Sequence, residues 1–185
     1  WKLSASISER ASEIALALDL MGRLDLVMAL GRYAISLNAQ AVVLDQSEHP
    51  SLRLVDARHP LLQRNVVSIS LELGASNAQR WTGLLITGPN AGGKTVALKT
   101  VGLLALMHQA GLQLPVAEGS VLPIFDGVYA DIGDQQSIEH SLSTFSSHIS
   151  TVQNILGVAT ERSLVLLDEM GSSTDPEEGA ALAKA

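Results

Sequence analysis

Residues 88–95 read Gly88-Pro89-Asn90-Ala91-Gly92-Gly93-Lys94-Thr95, which is the Gly-x4-Gly-Lys-Thr spacing of a phosphate-binding loop. The glycines let consecutive backbone N–H groups approach phosphate oxygens without a Cβ in the way. Lys94 supplies a compact positive charge for the outer phosphates, and the Thr95 hydroxyl is a hard oxygen ligand suited to Mg²⁺. We therefore predict that a nucleoside triphosphate is bound by nine residues: Gly88, Pro89, Asn90, Ala91, Gly92, Gly93, Lys94, Thr95 and Val96.

The residues on either side of the loop favour a strand before it and a helix after it. Leu84-Leu85-Ile86-Thr87 is a short apolar run that predicts a strand ending at the loop. Apolar residues then recur at helical spacing as far as Met107, which predicts a helix that begins at Thr95. The positive end of this helix would attract phosphate. This order of elements disfavours the alternative, a glycine-rich turn with a chance lysine.

Composition excludes several classes of protein. The 185 residues are 46% hydrophobic and 17% charged and include no cysteine, which excludes disulfides, thiolate metal ligands and cysteine nucleophiles. No apolar run approaches the roughly 20 residues that span a bilayer, so we expect a cytoplasmic protein with no membrane partner. A formal net charge of −7 argues against a polyphosphate-binding surface on this segment as a whole. Trp1 and a helical pattern that continues to Ala185 indicate a piece of a longer polypeptide.

The apolar spacing changes near residue 47. Up to about Leu44 it is helical and predicts a long helix or a helical hairpin, with breaks at Gly22 and Gly31. Beyond Pro50 it becomes strand-like. We therefore place a helical core or lever segment at residues 1–46 and an α/β domain at residues 47–185.

Within the α/β domain, the pattern predicts several short elements. Alternating runs at 52–55 and 66–73 predict antiparallel strands, and 74–77 reads as a turn. Further short strands are predicted at 121–123 and 128–130, and a helix at 143–157. Leu164-Val165-Leu166-Leu167 is continuously apolar, as expected of a strand that is buried on both faces.

The last apolar run ends in Asp168-Glu169, which supplies acidic groups that the phosphate loop lacks. An aspartate at the end of a central strand can hold the Mg²⁺ that Thr95 ligates, and the adjacent carboxylate can polarise an attacking water. We assign Asp168 to the metal and Glu169 to general-base catalysis. The double carboxylate separates this chain from small GTPases and favours an ABC-like ATPase.

ABC-like ATPases also need a signature segment that caps the nucleotide held by the opposite subunit of a dimer. Ser141-Leu142-Ser143-Thr144-Phe145 offers a hydroxyl and helix-start N–H groups one element before the acidic strand. The residues themselves leave an alternative open, since serine or threonine begins many helices as a plain N-cap.

With these elements in hand, the chain resembles the ATPase domain of the MutS family over nearly all of its length. Arg58-His59-Pro60-Leu61 resembles the segment at the entry of that domain, and residues 86–94 resemble its phosphate loop. Ser143-Thr144-Phe145 resembles the family signature, and Asp168-Glu169-Met170-Gly171 with Ser173-Thr174-Asp175 resembles the acidic strand end and the loop after it.

Three segments resemble the type II bacterial branch rather than the branch that recognises mismatches. Lys94-Thr95-Val96 stands where mismatch-repair members have Lys-Ser-Thr, residues 98–103 continue the match, and residues 174–182 replace a Thr-Ser-Thr segment. The resemblance implies an ABC-like P-loop NTPase fold with a mixed central sheet flanked by helices. It also implies Mg²⁺ and ATP as ligands, and Ser143 acting in trans on the γ-phosphate within a homodimer.

The resemblance implies further functions for segments outside these residues. They include a clamp for branched DNA or recombination intermediates, action on stalled ribosomes, suppression of recombination, and an endonuclease domain. A switch histidine is expected beyond Ala185, so His49, His108, His140 and His148 are expected at the surface or in helix packing. Gln135 or Gln136 would sense the metal and γ-phosphate.

Some interpretations stay open at this point. Val66 or Val67 would pack on adenine by resemblance, whereas the pattern itself favours inward-facing residues of a strand. An ABC transporter ATPase is an alternative function, although Leu142-Ser143-Thr144-Phe145 departs from its Leu-Ser-Gly-Gly-Gln signature at the third position. The second alternative function is a non-catalytic scaffold that is gated by nucleotide binding.

Overall fold

The N-terminal apolar pattern forms two helices. The computed structural model of the chain describes residues 2–62, 66–76, 79–89, 92–133 and 141–168. In it, helix α1 spans Lys2–Glu9 and helix α2 spans Ala11–Leu37. The predicted breaks at Gly22 and Gly31 are wrong, because a glycine in a helix interior costs only about 1 kcal/mol and a leucine and an arginine, both good helix formers, lie within two residues of each position.

The chain divides into two compact units, residues 1–39 and residues 40–185. This division precedes the boundary predicted after residue 46. Gln40 pairs with Leu114, and strand β1 (Val43–Leu44) pairs with strand β5 (Val121–Leu122), so the residues just after the division are bonded within the second unit.

A five-stranded mixed sheet forms part of the second unit. Its strand order is β1-β5-β2-β3-β4, where β2 is Leu52–Ala57, β3 is Ile69–Ser76 and β4 is Gln79–Trp81. β1 and β5 are parallel, and the other pairings are antiparallel. The predicted antiparallel pairing of β2 with β3 is confirmed. The predicted turn at 74–77 is wrong for residues 74–76, which remain in β3 and pair with β4, and Asn77 lies outside the described residues.

A second, two-stranded parallel sheet carries the acidic strand end. Strand β6 (Gly127–Asp131) pairs along its whole length with strand β7 (Ser163–Leu167). Helix α3 (Lys94–Gln109) packs against both strands, and helix α4 (Ser141–Val158) packs against β6. The predicted helix at 143–157 and the predicted strands near 121, 128 and 164 are therefore confirmed.

The predicted strand at Leu84–Thr87 is wrong. These residues are described but are in no strand, and none of the described strands pairs with them. A strand exists through the hydrogen bonds of its neighbours, and an apolar run alone does not supply them. The expectation that residues 164–167 are buried on both faces is also wrong for the described part of the chain, since Leu164 and Leu166 are buried while Val165 is 38% exposed.

Helix α3 lies close against β7. Its buried residues include Val101, Leu104 and Ala105, and a Cβ added to Gly102 would lie 2.6 Å from Cδ1 of Leu166. Glycine at this position allows the helix backbone to approach the strand closely. The contact therefore places the middle of α3 beside the last residues of β7.

The described residues form an α/β structure with a mixed sheet. The narrower assignment to an ABC-like P-loop fold stays a prediction. Among the helices that the structure describes, none combines the length and the apolar character needed to cross a membrane.

Candidate nucleotide-binding site

The phosphate-loop sequence leads into helix α3 through a residue in the left-handed region. Gly93 has φ 80° at the N-cap, and the N–H of Ala97 donates to its carbonyl at 2.9 Å, so the helix begins at Lys94, one residue before the predicted start. Residues with a Cβ rarely adopt this backbone angle. Gly88 also has a positive φ, 149°, and the N–H of Gly92 donates to the Pro89 carbonyl at 2.9 Å. The chain therefore turns tightly at both ends of the loop.

Lys94 lies across the loop. Its ammonium Nζ donates to the carbonyl oxygen of Gly88 at 2.6 Å. Because the first backbone N–H groups of a helix have no acceptor within the helix, the start of α3 is suited to an anion. Lys94 and the start of α3 therefore bring positive charge to the same place.

The structure brings together the two residues predicted to hold the metal. The Thr95 hydroxyl Oγ1 donates to Oδ2 of Asp168 at 2.5 Å, although the two residues are 73 positions apart in the sequence. Thr95 lies in the first turn of α3, and Asp168 follows the last residue of β7; both are partly buried. Two hard oxygen ligands thus face each other next to Lys94.

The backbone of Asp168 is held by the neighbouring strand. Its N–H donates to the carbonyl of Asp131 at 2.9 Å, which extends the β6–β7 pairing by one residue. The position of the Asp168 carboxylate is therefore set by the sheet.

Several predicted site residues lie outside the described residues. They are Asn90 and Ala91 of the loop, the general base Glu169, Gln135, Gln136 and the 173–175 segment. Ser143 lies on the described backbone of α4. Their predicted roles stay predictions.

The two valines considered for adenine precede β3 instead of lying within it. Val67 is 86% exposed and Val66 is partly buried, so the interpretation of Val67 as an inward-facing strand residue is wrong. An exposed apolar side chain is available for packing against a planar base.

The Arg58-His59 segment lies at the end of β2. The N–H of Arg58 donates to the Pro115 carbonyl at 2.9 Å. Burial lowers the pKa of His59, and the positive charge of Lys99 on α3 lowers that pKa further. The segment is therefore close to the helix that follows the phosphate loop.

Sequence reasoning missed an acid–histidine pair at the same edge of the sheet. Nδ1 of His148 lies 2.7 Å from Oδ2 of Asp131, and the two side chains are 26% and 17% exposed. The sequence did contain a signal: Asp131, like Asp168, ends a parallel strand, and the carboxyl ends of parallel strands meet at one edge. Of the other histidines, His49 is exposed, His108 is partly buried and His140 lies outside the described residues.

Comparison with known proteins identifies the family. The MutS domain V family matches residues 84–185. Endonuclease MutS2 of Pelotomaculum thermopropionicum is 54% identical over 183 residues, covering 99% of this chain and 22% of the relative. The endonuclease MutS2 proteins of Geobacillus sp. WCH70 and Alkaliphilus oremlandii are each 49% identical, covering 98% and 100% of this chain and 23% of each relative.

The chain thus spans about a fifth of the length of the curated relatives it matches. The match to domain V includes the phosphate-loop sequence and Asp168, and the relatives extend the similarity to the N-terminal helices. These findings confirm the resemblance on which the site prediction rests. The chain therefore belongs to the MutS family, which it matches through domain V, and within that family to the branch of the proteins named endonuclease MutS2.

Proposed function

We propose that this chain binds and hydrolyses ATP with Mg²⁺ and acts as the nucleotide switch of a MutS-type DNA-binding protein. The observation that carries the proposal is the hydrogen bond between Thr95 and Asp168. It joins the end of a phosphate-binding sequence to an acidic strand end, as an ATPase requires.

The oxygen ligands at this position suit Mg²⁺. Magnesium prefers oxygen ligands at 2.0–2.1 Å, so two ligands at adjacent corners of its octahedron lie about 3 Å apart. Oγ1 of Thr95 and Oδ2 of Asp168 are 2.5 Å apart, so a small outward movement of either side chain would suffice. A Mg²⁺ held by Thr95 and Asp168 would supply positive charge that stabilises the negative charge of the phosphates.

The chain's own residues would bind and orient the nucleotide. The Lys94 ammonium would exchange the Gly88 carbonyl for a phosphate oxygen, and the N–H groups at the start of α3 would face the same phosphates. Glu169, directly after Asp168, would accept a proton from the attacking water. Ser143, at the start of α4, would contact the γ-phosphate bound by a second subunit, so ATP would join two copies.

The wider function rests on the relatives. They carry the name endonuclease MutS2, and this chain spans about a fifth of their length. We therefore propose that the full-length cytoplasmic protein couples ATP to a clamp for branched DNA and contains a nuclease elsewhere. Suppression of recombination and action on stalled ribosomes belong to the same proposal.

ATP turnover by the full-length protein tests the proposal. We expect Lys94→Ala and Glu169→Ala each to lower kcat/KM by about 100-fold or more, because each removes a group that stabilises the transition state. Lys99→Ala is a matched control, since Lys99 is an exposed lysine on the same helix, and it should keep turnover within about twofold. Equal turnover in the wild type and both site variants would support the nucleotide-gated scaffold and exclude the ATPase.

The dimer is tested separately. Glu169→Ala should retain ATP and accumulate a dimer, which light scattering with and without ATP would detect. If this variant binds ATP and remains a monomer, the role of Ser143 in trans is wrong.

A further inference from the structure

The pair formed by His148 and Asp131 has no role in the proposed ATPase chemistry, yet it is connected to the site. Its 2.7 Å contact joins the first half of α4 to the last residue of β6. An ionised carboxylate only accepts hydrogen bonds, so in this contact the Nδ1–H tautomer of His148 donates a hydrogen bond to Oδ2 of Asp131.

Asp131 is also the residue that holds Asp168. Its backbone carbonyl accepts the N–H of Asp168 at 2.9 Å, and the Asp168 carboxylate accepts the Thr95 hydroxyl. A continuous series of hydrogen bonds therefore runs from the first turn of α3, through the ends of β7 and β6, to α4.

His148 belongs to the face of α4 that packs inward. Ile155, seven residues later, is buried, and residues at this spacing share one face of a helix. Thr151 and Val152, between them, are partly buried as well, whereas Gln153 and Asn154 are exposed. Among the α4 side chains that the structure describes, residues 148–158, Ile155 is the buried apolar anchor of the second half, and His148 is the contact nearest the start.

We propose that His148 is a positioning residue, whose hydrogen bond to Asp131 fixes the first turns of α4, and with them Ser143, relative to the strand ends that carry Asp168. Its effect on ATP turnover rests on the proposed function, whereas its effect on the local order of α4 does not.

A hydrogen bond suits this task better than apolar packing does. Packing at Ile155 holds the helix against the sheet, but apolar contacts are non-directional and tolerate sliding. The His148 contact involves a carboxylate and is partly shielded from water, so it is directional and stronger than a bond between neutral, exposed groups. It therefore fixes the position of α4 along the strand end.

Two substitutions in the full-length protein separate this role from simple packing. The amide nitrogen of asparagine is bonded to Cγ, as Nδ1 of histidine is, so His148→Asn keeps a donor near the same place. His148→Gln keeps a polar side chain of similar size but moves its donor one bond further out. Asparagine is the poorer helix former of the two, so a better result for His148→Asn could not come from helix propensity. Gln153→Ala is the control on the exposed face of α4.

The direct readout is hydrogen exchange of the backbone amides of residues 145–147, the first in α4 with acceptors inside the helix. We expect His148→Gln to speed their exchange about tenfold, since losing one charge-assisted hydrogen bond has about this effect on a local equilibrium. His148→Asn and Gln153→Ala should stay within about threefold of the wild type. In turnover assays, His148→Gln should lower kcat about tenfold while KM for ATP changes less than twofold.

Each outcome has a defined meaning. If exchange at 145–147 is the same in His148→Gln and the wild type, the positioning role is wrong. It is also wrong if both His148 variants speed exchange equally along all of α4, because His148 would then serve stability alone. If the wild-type protein does not hydrolyse ATP, the proposed function fails, and the exchange result by itself decides the role of His148.

Discussion

Two apolar runs lead towards the candidate site, and they have different structures. β7 pairs along its whole length with β6 and buries Leu164 and Leu166. Leu84–Thr87 pairs with none of the described strands, and Leu85 is 83% exposed. Both runs have the composition of a buried strand, so the neighbouring strand, rather than the composition, determines which of them becomes one.

The difference determines how each half of the site is held. The acidic half is fixed by a sheet, because the backbone bond from Asp168 to Asp131 continues the β6–β7 pairing. The loop half depends on helix α3, which begins at Lys94 and packs on β6 and β7. The two halves then meet at the Thr95–Asp168 hydrogen bond.

The largest expected effect compares a leucine from each run. Leu166→Ala should lower the free energy of unfolding by about 3 kcal/mol, because it leaves a cavity between β7 and α3. Leu85→Ala should cost about 0.5 kcal/mol or less, because its side chain is exposed. Urea unfolding of both variants measures the difference. If both variants lost the same free energy of unfolding, residues 84–87 would be buried as deeply as β7. The proposed difference between the two runs would then be wrong.

The second largest expected effect concerns the close contact between Gly102 of α3 and Leu166 of β7. Gly102→Ala should destabilise the protein by about 1–2 kcal/mol, since its Cβ would lie 2.6 Å from Cδ1 of Leu166. Gly157→Ala on α4 is the control. A Cβ there would meet nothing within 4 Å, so this change should be neutral or stabilise by up to about 1 kcal/mol.

A double substitution shows whether the cost comes from that contact. Gly102→Ala combined with Leu166→Ala should cost less than the sum of the two single changes, because the smaller side chain makes room for the new methyl group. If the losses in the free energy of unfolding were additive, the new methyl group at residue 102 would not clash with the Leu166 side chain.

Much of the fold followed from local patterns. The helix after the loop, α4, β7 and the β2–β3 pairing were predictable because apolar spacing reports which face of an element is buried. The partners of strands that lie far apart in the sequence, such as β6 and β7, were not predictable, because local spacing carries no information about them. The strand at Leu84–Thr87 was predicted wrongly for this reason. The turn at Gly74 was predicted wrongly because the residue types at 74–76 are typical of turns, whereas these residues continue β3 and pair with the adjacent β4.

The site divides in the same way. Thr95 and Asp168 were predicted as a pair from chemistry, because a hydroxyl and a carboxylate beside a phosphate loop suit Mg²⁺. The Asp131–His148 pair was missed because neither residue belongs to a motif. Only the strand register and the path of α4 bring them together.

The smallest expected effect on stability concerns the C-terminal end of α3. This end must stay in place if the helix is to support the phosphate loop that precedes it. His108 lies in the last turn of α3, and its Nε2 is buried and has no hydrogen-bond partner among the described residues. Burial lowers the pKa of His108 below its usual 6.5, and the nearby backbone of Leu122 offsets part of that change. The folded protein therefore resists protonation at this residue.

The sign of the pH effect follows from linkage. As pH falls below about 6.5, the unfolded chain takes up a proton at His108 before the folded protein does, so the free energy of unfolding decreases. His108→Leu removes this contribution. Its free energy of unfolding should fall less than that of the wild type between about pH 7.5 and about pH 5. Parallel pH profiles for the two proteins would show that this end of α3 does not exclude the charged imidazole.

The most direct test of the central claim is the Mg²⁺ dependence of ATP binding by the full-length protein, measured by calorimetry for the wild type, Thr95→Val, Asp168→Asn and the double variant. If both residues hold one ion, Mg²⁺ should tighten wild-type binding by about tenfold or more, or about 1.4 kcal/mol. Each single variant should lose most of that gain, and the double variant should lose little more. Single variants that keep the full gain from Mg²⁺, or losses that add, would contradict a shared metal site at the Thr95–Asp168 contact.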